Sequence, residues 1–283
     1  HSIPWIAYIL LFGILAAGAY FRFIGLDWDE DQHLHPDERF LTMVETAIRP
    51  VSSLKEYFDT GSSALNPNNA GYSFYVYGTL PIFMVRYAAE AVNMTGYGQI
   101  HLVGRAMSGI FDLLTVLLVF FLSFRLYRNY RLSLVAAGFM AFAVLPIQLS
   151  HYFTVDTIAT FFTLLSIAFA VLIMTANRDD KPDQDLDTCD EDTQEDAPIS
   201  LWKLDSTFGY YLLFGAAFGM ALASKVSSAP VVLTLLAGCL VYYSRVPAFQ
   251  RKRQPVFIWR NLVFAGITTL LVFRIFQPYA DRK

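Results

Sequence analysis

The chain reads as an all-α protein that crosses a membrane several times, and three features carry that expectation. Of its 283 residues, 55 % are hydrophobic and only 16 % are charged, the composition of a polytopic membrane protein and not of a soluble domain. Seven apolar runs approach the roughly 20 residues needed to cross about 30 Å of hydrocarbon at about 1.5 Å per residue. Lys and Arg gather between those runs at points that impose one alternation of sides. The net charge of −3 gives a nucleic-acid role no electrostatic support.

Taken in order, the runs are 4–24, 102–124, 132–149, 153–176, 208–223, 226–243 and 257–276. The first is not a cleaved signal, because Arg22 stands where a small-residue cleavage site belongs. A further stretch, 72–92, is apolar but carries Gly78, Pro81, Arg86 and Glu90. Its crossing is decided by charge. Arg125, Arg128 and Arg131 follow one run, and Arg245, Arg251, Lys252 and Arg253 follow another; both clusters belong on the cytoplasmic side. With the first run directed outward, both are satisfied only if 72–92 stays in the outer leaflet, within a long first external loop, 26–101. The segment 177–206 becomes an acidic cytoplasmic linker, solvated by its own like charges. Cys189 falls in that linker and Cys239 inside an apolar run, so they form no disulfide framework. The chain opens at His1 and stops just after an apolar run, as a part of a longer protein would.

The same alternation brings Asp37, Glu38, Asp156, Lys225 and Arg274 to one face. Arg274 reaches it because about 16 residues of helix past Ile258 rise roughly 24 Å. In the first loop, Pro36 suits a first helical turn, and Phe40, Met43, Val44, Ala47 and Ile48 repeat with helical period. That places Asp37 and Glu38 at a helix N-terminus, where backbone N–H groups favour ionised carboxylates. Such carboxylates either cap the helix or act as a general base or cation ligands, with His33 and His35 adding imidazoles. Asp156 opens the fourth run, as a cap or as a second acid beside the first cluster. Lys225 sits in a short turn, where snorkelling to headgroups competes with a site role. A guanidinium at Arg274, buried among aromatics, needs an anionic partner such as a lipid-linked phosphate. Arg105 is a third cation, available to pair with Asp37 or Asp156.

These residues resemble a known family. His35-Pro36-Asp37-Glu38, Val103-Gly104-Arg105-Ala106-Met107-Ser108, the stretch from Ser150 to Asp156, the Lys225 turn and Phe273-Arg274-Ile275-Phe276-Gln277-Pro278-Tyr279 look like the membrane module of GT-C glycosyltransferases. The nearest are the bacterial members similar to protein O-mannosyltransferases and the aminoarabinose transferase. The resemblance implies a GT-C helical bundle whose long first external loop contains membrane-parallel helices. It also implies a bacterial plasma-membrane location with the active site outside, and inverting transfer of a sugar from a polyprenyl phosphate to a protein, lipid or glycan hydroxyl. Asp37, with Glu38 and Asp156, would then be catalytic. Lys225, Arg274 and Arg105 would hold the carrier phosphate, and His33, His35, Asp37, Glu38 and Asp156 are the candidate ligands for an optional Mg²⁺, Mn²⁺ or Zn²⁺. A lipid or anion transporter and a non-catalytic membrane subunit are the competing readings.

Overall fold

The computed structural model describes residues 3–176, 206–247 and 251–280; the acidic linker and Cys189 lie outside them. Among the described residues every regular element is helical. They are α1 (Trp5–Phe23), α2 (Pro36–Ala47), α3 (Leu54–Phe58), α4 (Thr79–Ala91), α5 (Tyr97–Tyr127), α6 (Tyr130–Ala141), α7 (Val144–Ser150), α8 (Val155–Met174), α9 (Phe208–Ser224), α10 (Val232–Ser244) and α11 (Gln254–Phe276). A 3-10 turn, Val226–Val231, leads into α10. Five helical segments are long and apolar enough to cross a membrane: α1, α5, α8, α11 and the 3-10 turn continued by α10. The 17-residue α9 is shorter, about 26 Å of rise.

One expected run is not a single helix. The stretch 132–149 is broken into α6 and α7, bent by 53°. Two causes meet there. Pro146, the third residue of α7, has no N–H to give and crowds the carbonyl four residues back, so the helix cannot run through Phe142. The carbonyls freed at the end of α6 are taken up by Arg22 of α1, whose Nη1 donates to Ala141 O at 2.8 Å. The same guanidinium donates to Asp112 Oδ2 of α5 at 2.6 Å, and both side chains are buried. Asp112, a carboxylate in the middle of an apolar run, is thereby neutralised inside the bundle.

The core is a row of packed helices with α5 and α8 at its centre. α1 and α6 lie on α5 around Ala7, Leu11, Val116, Phe120 and Ala137. α9 lies on α8 and α11, with α10 alongside, around Ile173, Tyr211, Phe214, Leu235 and Cys239. α9 and α11 come close because Gly215 and Gly219 present no Cβ. A Cβ at Gly219 would stand 2.8 Å from Thr269 O, and one at Gly215 would strike Ala265 O, the small-residue spacing by which apolar helices approach without a hydrophobic drive between them. Outward, large apolar side chains stay bare: Phe12 of α1 is 73 % exposed and Leu240 71 %, on segments of spanning length the surface that hydrocarbon covers.

The bundle has two distinct ends. At one, Arg125 Nη2 from the last turns of α5 donates to Thr175 O at 2.8 Å, and Arg245 Nη1 reaches Met174 O at 3.3 Å, so both basic clusters meet the C-terminus of α8. At the other lie the N-termini of α5 and α8 and the C-termini of α9 and α11, covered by residues 26–96. In that cover, α2 and α4 pack on α5 through Leu41, Val44, Ile48, Ile82, Val85 and Ile100. α4 has 13 residues, a rise of about 20 Å, short of a bilayer.

The inward face of α2 keeps Phe40, Val44, Ala47 and Ile48 of the expected stripe, buried or partly so, and departs from it at Met43. Met43 is exposed, while Glu38, Leu41, Thr42, Val44 and Glu45 are buried. In its first turn Glu38 is also inside, against a cation.

Candidate functional site at the covered end of the bundle

That cation is Arg105. Its Nε donates to Glu38 Oε2 at 2.8 Å, and its Nη2 reaches Glu38 Oε1 at 2.5 Å and Asp29 Oδ2 at 2.9 Å. Leu26 O takes Nη1 at 2.5 Å. All three charged side chains are fully buried. Burial pushes the Asp29 carboxyl up, but the hydrogen bond and charge of Arg105 outweigh it and hold Asp29 below the ordinary value. Arg105 therefore pairs with neither Asp37 nor Asp156, and its guanidinium is taken up by Glu38, Asp29 and Leu26 O. Asp29 stands eight residues before the acid that drew attention, and only the fold brings it back.

Glu38 also accepts the Phe153 N–H at 2.6 Å. With three donors on its carboxylate and no exposed surface, Glu38 is not placed to take a proton from a solvent-side hydroxyl. It is a positioning residue. By gripping Arg105 on α5 and the backbone three residues before Asp156, it ties the start of α2 to the start of α8.

The consequence falls on its neighbour. Successive helical residues diverge by about 100°, so with Glu38 turned inward Asp37 stays half-exposed. Tyr77, on the strand of loop before α4, is hydrogen-bonded to Asp37 and also lies in the field of Asp156; burial first, then the Asp37 hydrogen bond and the two negative charges, push its phenol above the ordinary value. Tyr77 thus feels both acids. Asp156, in the first turn of α8, receives Lys225 Nζ at 2.5 Å.

The Lys225 turn is held by the first loop. Gly78 N donates to Ser224 O at 3.1 Å, and Thr79 N donates to Gln277 Oε1 at 2.6 Å. Gly78 is buried so tightly that any Cβ would overlap the Ala223 carbonyl. One dipeptide thereby joins the ends of α9 and α11. Beside it, Asn66, Asn68, Ser73, Tyr75, Thr79 and Gln277 line a cavity of about 590 Å³, and the Tyr75 ring contacts that of Tyr77 at 6.1 Å.

Arg274 does not match its expected setting. It is in the last turn of α11, but its side chain is exposed, not buried among aromatics, and Nη1 donates to Pro278 O at 2.6 Å. It caps its own helix end, where the helix dipole favours a cation.

The expected metal set does not assemble either. Glu38 is consumed by Arg105, Asp156 by Lys225, and His35 stacks on Tyr152 at 4.5 Å. Only His33 joins a cluster of ligating side chains, and its partners there are Asp31 and His101. His101 carried no motif in the sequence; its pairing across 68 residues, read from the numbering, is a product of the fold.

No protein-family model matches the chain, and no curated protein matches it in sequence. Fold and site therefore define its class on their own: an all-helical protein with the make-up of a multi-pass membrane protein, carrying two acids and an ion-paired lysine at one end of the bundle.

Proposed function

We propose that the chain is a membrane glycosyltransferase of GT-C type, moving a sugar from a polyprenyl phosphate to a hydroxyl acceptor at the external membrane face. The observation that carries this reading is the Lys225–Asp156 pair at the covered end of the bundle, with Asp37 on the same end and both acids acting on Tyr77. It is a group of opposite charges at the end of an apolar bundle, where a lipid-linked headgroup would lie.

In this mechanism Asp37 takes the proton of the acceptor hydroxyl. The acceptor oxygen bonds to the anomeric carbon as the bond from that carbon to the phosphate oxygen breaks, and the phosphate leaves with the electron pair. Lys225 keeps two further N–H donors for that leaving charge while Asp156 fixes its position. The exposed Arg274 is the second cation of the carrier site. Amide and hydroxyl groups in the cavity beside Tyr75 suit the hydroxyls of a sugar or acceptor. No step calls on a metal ion.

The test is direct. The full chain in liposomes is given radiolabelled polyprenyl-phosphate sugar and protein, lipid and glycan acceptors. Label should pass to an acceptor, and Asp37→Asn should stop transfer while carrier binding persists. Label that crosses the bilayer unreacted would establish a transporter instead. Neither movement nor transfer would leave a non-catalytic subunit. The closed Arg22–Asp112 pair argues against the transporter, because its guanidinium is already bound to Asp112, Gly18 O and Ala141 O inside the bundle.

A further inference from the structure

Beyond the paired acids, the covered end holds a second group of ligating side chains. Asp31 and His33 come from the loop before α2, and His101 from the first turns of α5. The two imidazole rings stand 4.4 Å apart, edge to face. His33 is 2 % exposed and His101 0 %, and among the described residues none of their four ring nitrogens has a hydrogen-bond partner. The Asp31 carboxylate lies 3.7 Å from His101 Nε2, too far for a hydrogen bond. It is 57 % exposed and gives the cluster an opening to solvent. Asp29 Oδ1, left free when Oδ2 binds Arg105, is buried without a partner and belongs to an overlapping group with Asp27 and His101.

Buried polar atoms in proteins are nearly always satisfied. Two adjacent imidazoles cannot satisfy each other here, since neither ring nitrogen pair is within bonding reach, and no carbonyl or hydroxyl substitutes. Each neutral imidazole has one ring nitrogen able to donate an electron pair to a cation, and Asp29 Oδ1, a carboxylate oxygen, can do the same. We infer that Asp31, His33 and His101 form a binding site for a divalent transition-metal ion of the zinc class, with Asp29 or water completing the coordination.

The geometry is compatible with such an ion. The three ligand atoms lie within 4.8 Å of one another, while a tetrahedral ion with arms of about 2.0 Å separates its ligands by roughly 3.3 Å. Small rotations of the rings close the difference. Imidazole nitrogens select zinc-class ions over Mg²⁺ or Ca²⁺, which prefer all-oxygen cages. Bound there, the ion would clamp the loop before α2 onto α5 next to the Asp29–Arg105–Glu38 network, and so fix the approach of Asp37. The site does not depend on the glycosyltransferase reading.

Chelator-stripped full-length chain in detergent would be titrated with Zn²⁺ against a chromophoric competitor, and with Co²⁺ by visible absorption. One Zn²⁺ per chain and a Co²⁺ spectrum with intense bands of low coordination number are expected. Loss of an outer-shell partner commonly costs about 10–100-fold in metal affinity, so His33→Phe or His101→Phe, which keep the ring contacts and delete the nitrogens, should weaken binding by at least that much. Asp31→Asn, at a partly exposed position, should weaken binding without threatening the fold, and His35→Phe should not. No stoichiometric Zn²⁺, a Co²⁺ spectrum of the hexa-aqua type, or binding that survives His33→Phe/His101→Phe would overturn the site. So would binding lost in Asp37→Asn/Asp156→Asn but kept in the histidine variants. If the histidine variants do not fold, Asp31→Asn and the Co²⁺ spectrum of the unmodified chain decide it.

Discussion

Lys225 Nζ lies 2.5 Å from Asp156 Oδ1, so the C-terminus of α9 and the N-terminus of α8 end on opposite charges of a single ion pair. With side-chain exposures of 41 % and 37 %, the pair is half-solvated, and such pairs add little stability, about 0–1 kcal/mol before screening. Its value is positional. Lys225→Gln should leave the melting temperature within a few degrees while weakening the binding of a polyprenyl phosphate at least tenfold, about 1.4 kcal/mol. A lipid titration followed by tryptophan fluorescence measures this. Unchanged affinity would remove Lys225 from the carrier site.

Glu38 and Arg105 predict the reverse pattern. Breaking a fully buried ion pair by removing one partner costs about 3–5 kcal/mol, because the other charge stays buried and uncompensated. Arg105→Met, which leaves Asp29 and Glu38 both buried without a cation, should therefore lower the melting temperature strongly, and Glu38→Gln, which keeps the Asp29–Arg105 pair, should lower it less. Thermal denaturation of the two variants checks it. A Glu38→Gln protein of normal stability that has lost only turnover would return Glu38 to the role of general base.

How far the sequence revealed this arrangement depends on the range of each interaction. The start of α2 at Pro36, with Asp37 and Glu38 in its first turn, is local, set by a fixed φ and a dipole, and was legible. So was the apolar character of α1, α5, α8 and α11. The partners of each charge were not. Whether Glu38 faces inward depends on Arg105, 67 positions away, and whether Arg105 is free depends on Asp29, another 76 positions back. The break between α6 and α7 was half legible: Pro146 announced it, but the carbonyl cap from Arg22 required tertiary contact. Asp112 has its partner Arg22 90 positions away, so only the fold pairs them.

Gly78 tests whether the first loop sets the position of Lys225. Its missing side chain lets the loop lie against Ala223 and Ser224, and overpacking a tight contact costs about 1–3 kcal/mol. Gly78→Ala should destabilise by that order and release the Gly78 N to Ser224 O bond. Hydrogen exchange at Gly78, read by mass spectrometry, should accelerate in the variant. If protection and melting temperature are both unchanged, the clasp does not hold the turn.

Glu45 supplies the pH dependence. It is fully buried on α2, and neither carboxyl oxygen has a hydrogen-bond partner among the described residues. Burial pushes its carboxyl well above the ordinary 4.5, with Arg86 only partly opposing. The sign follows from proton counting. Between the unfolded value near 4.5 and the raised folded value, the folded chain holds a proton that the unfolded chain has released. Stability from this group is thus complete below about 4.5 and is lost as pH rises through the folded value, at up to about 1.4 kcal/mol per pH unit. Glu45→Gln keeps the neutral shape and removes the titration. Its melting temperature should therefore exceed that of the unaltered chain by a margin that widens as pH rises above about 4.5 and levels off once pH passes the folded value. Taking the difference between the two chains cancels every other titrating group they share. Parallel melting curves across that range would mean that Glu45 is ionised in the folded protein and holds a partner within reach.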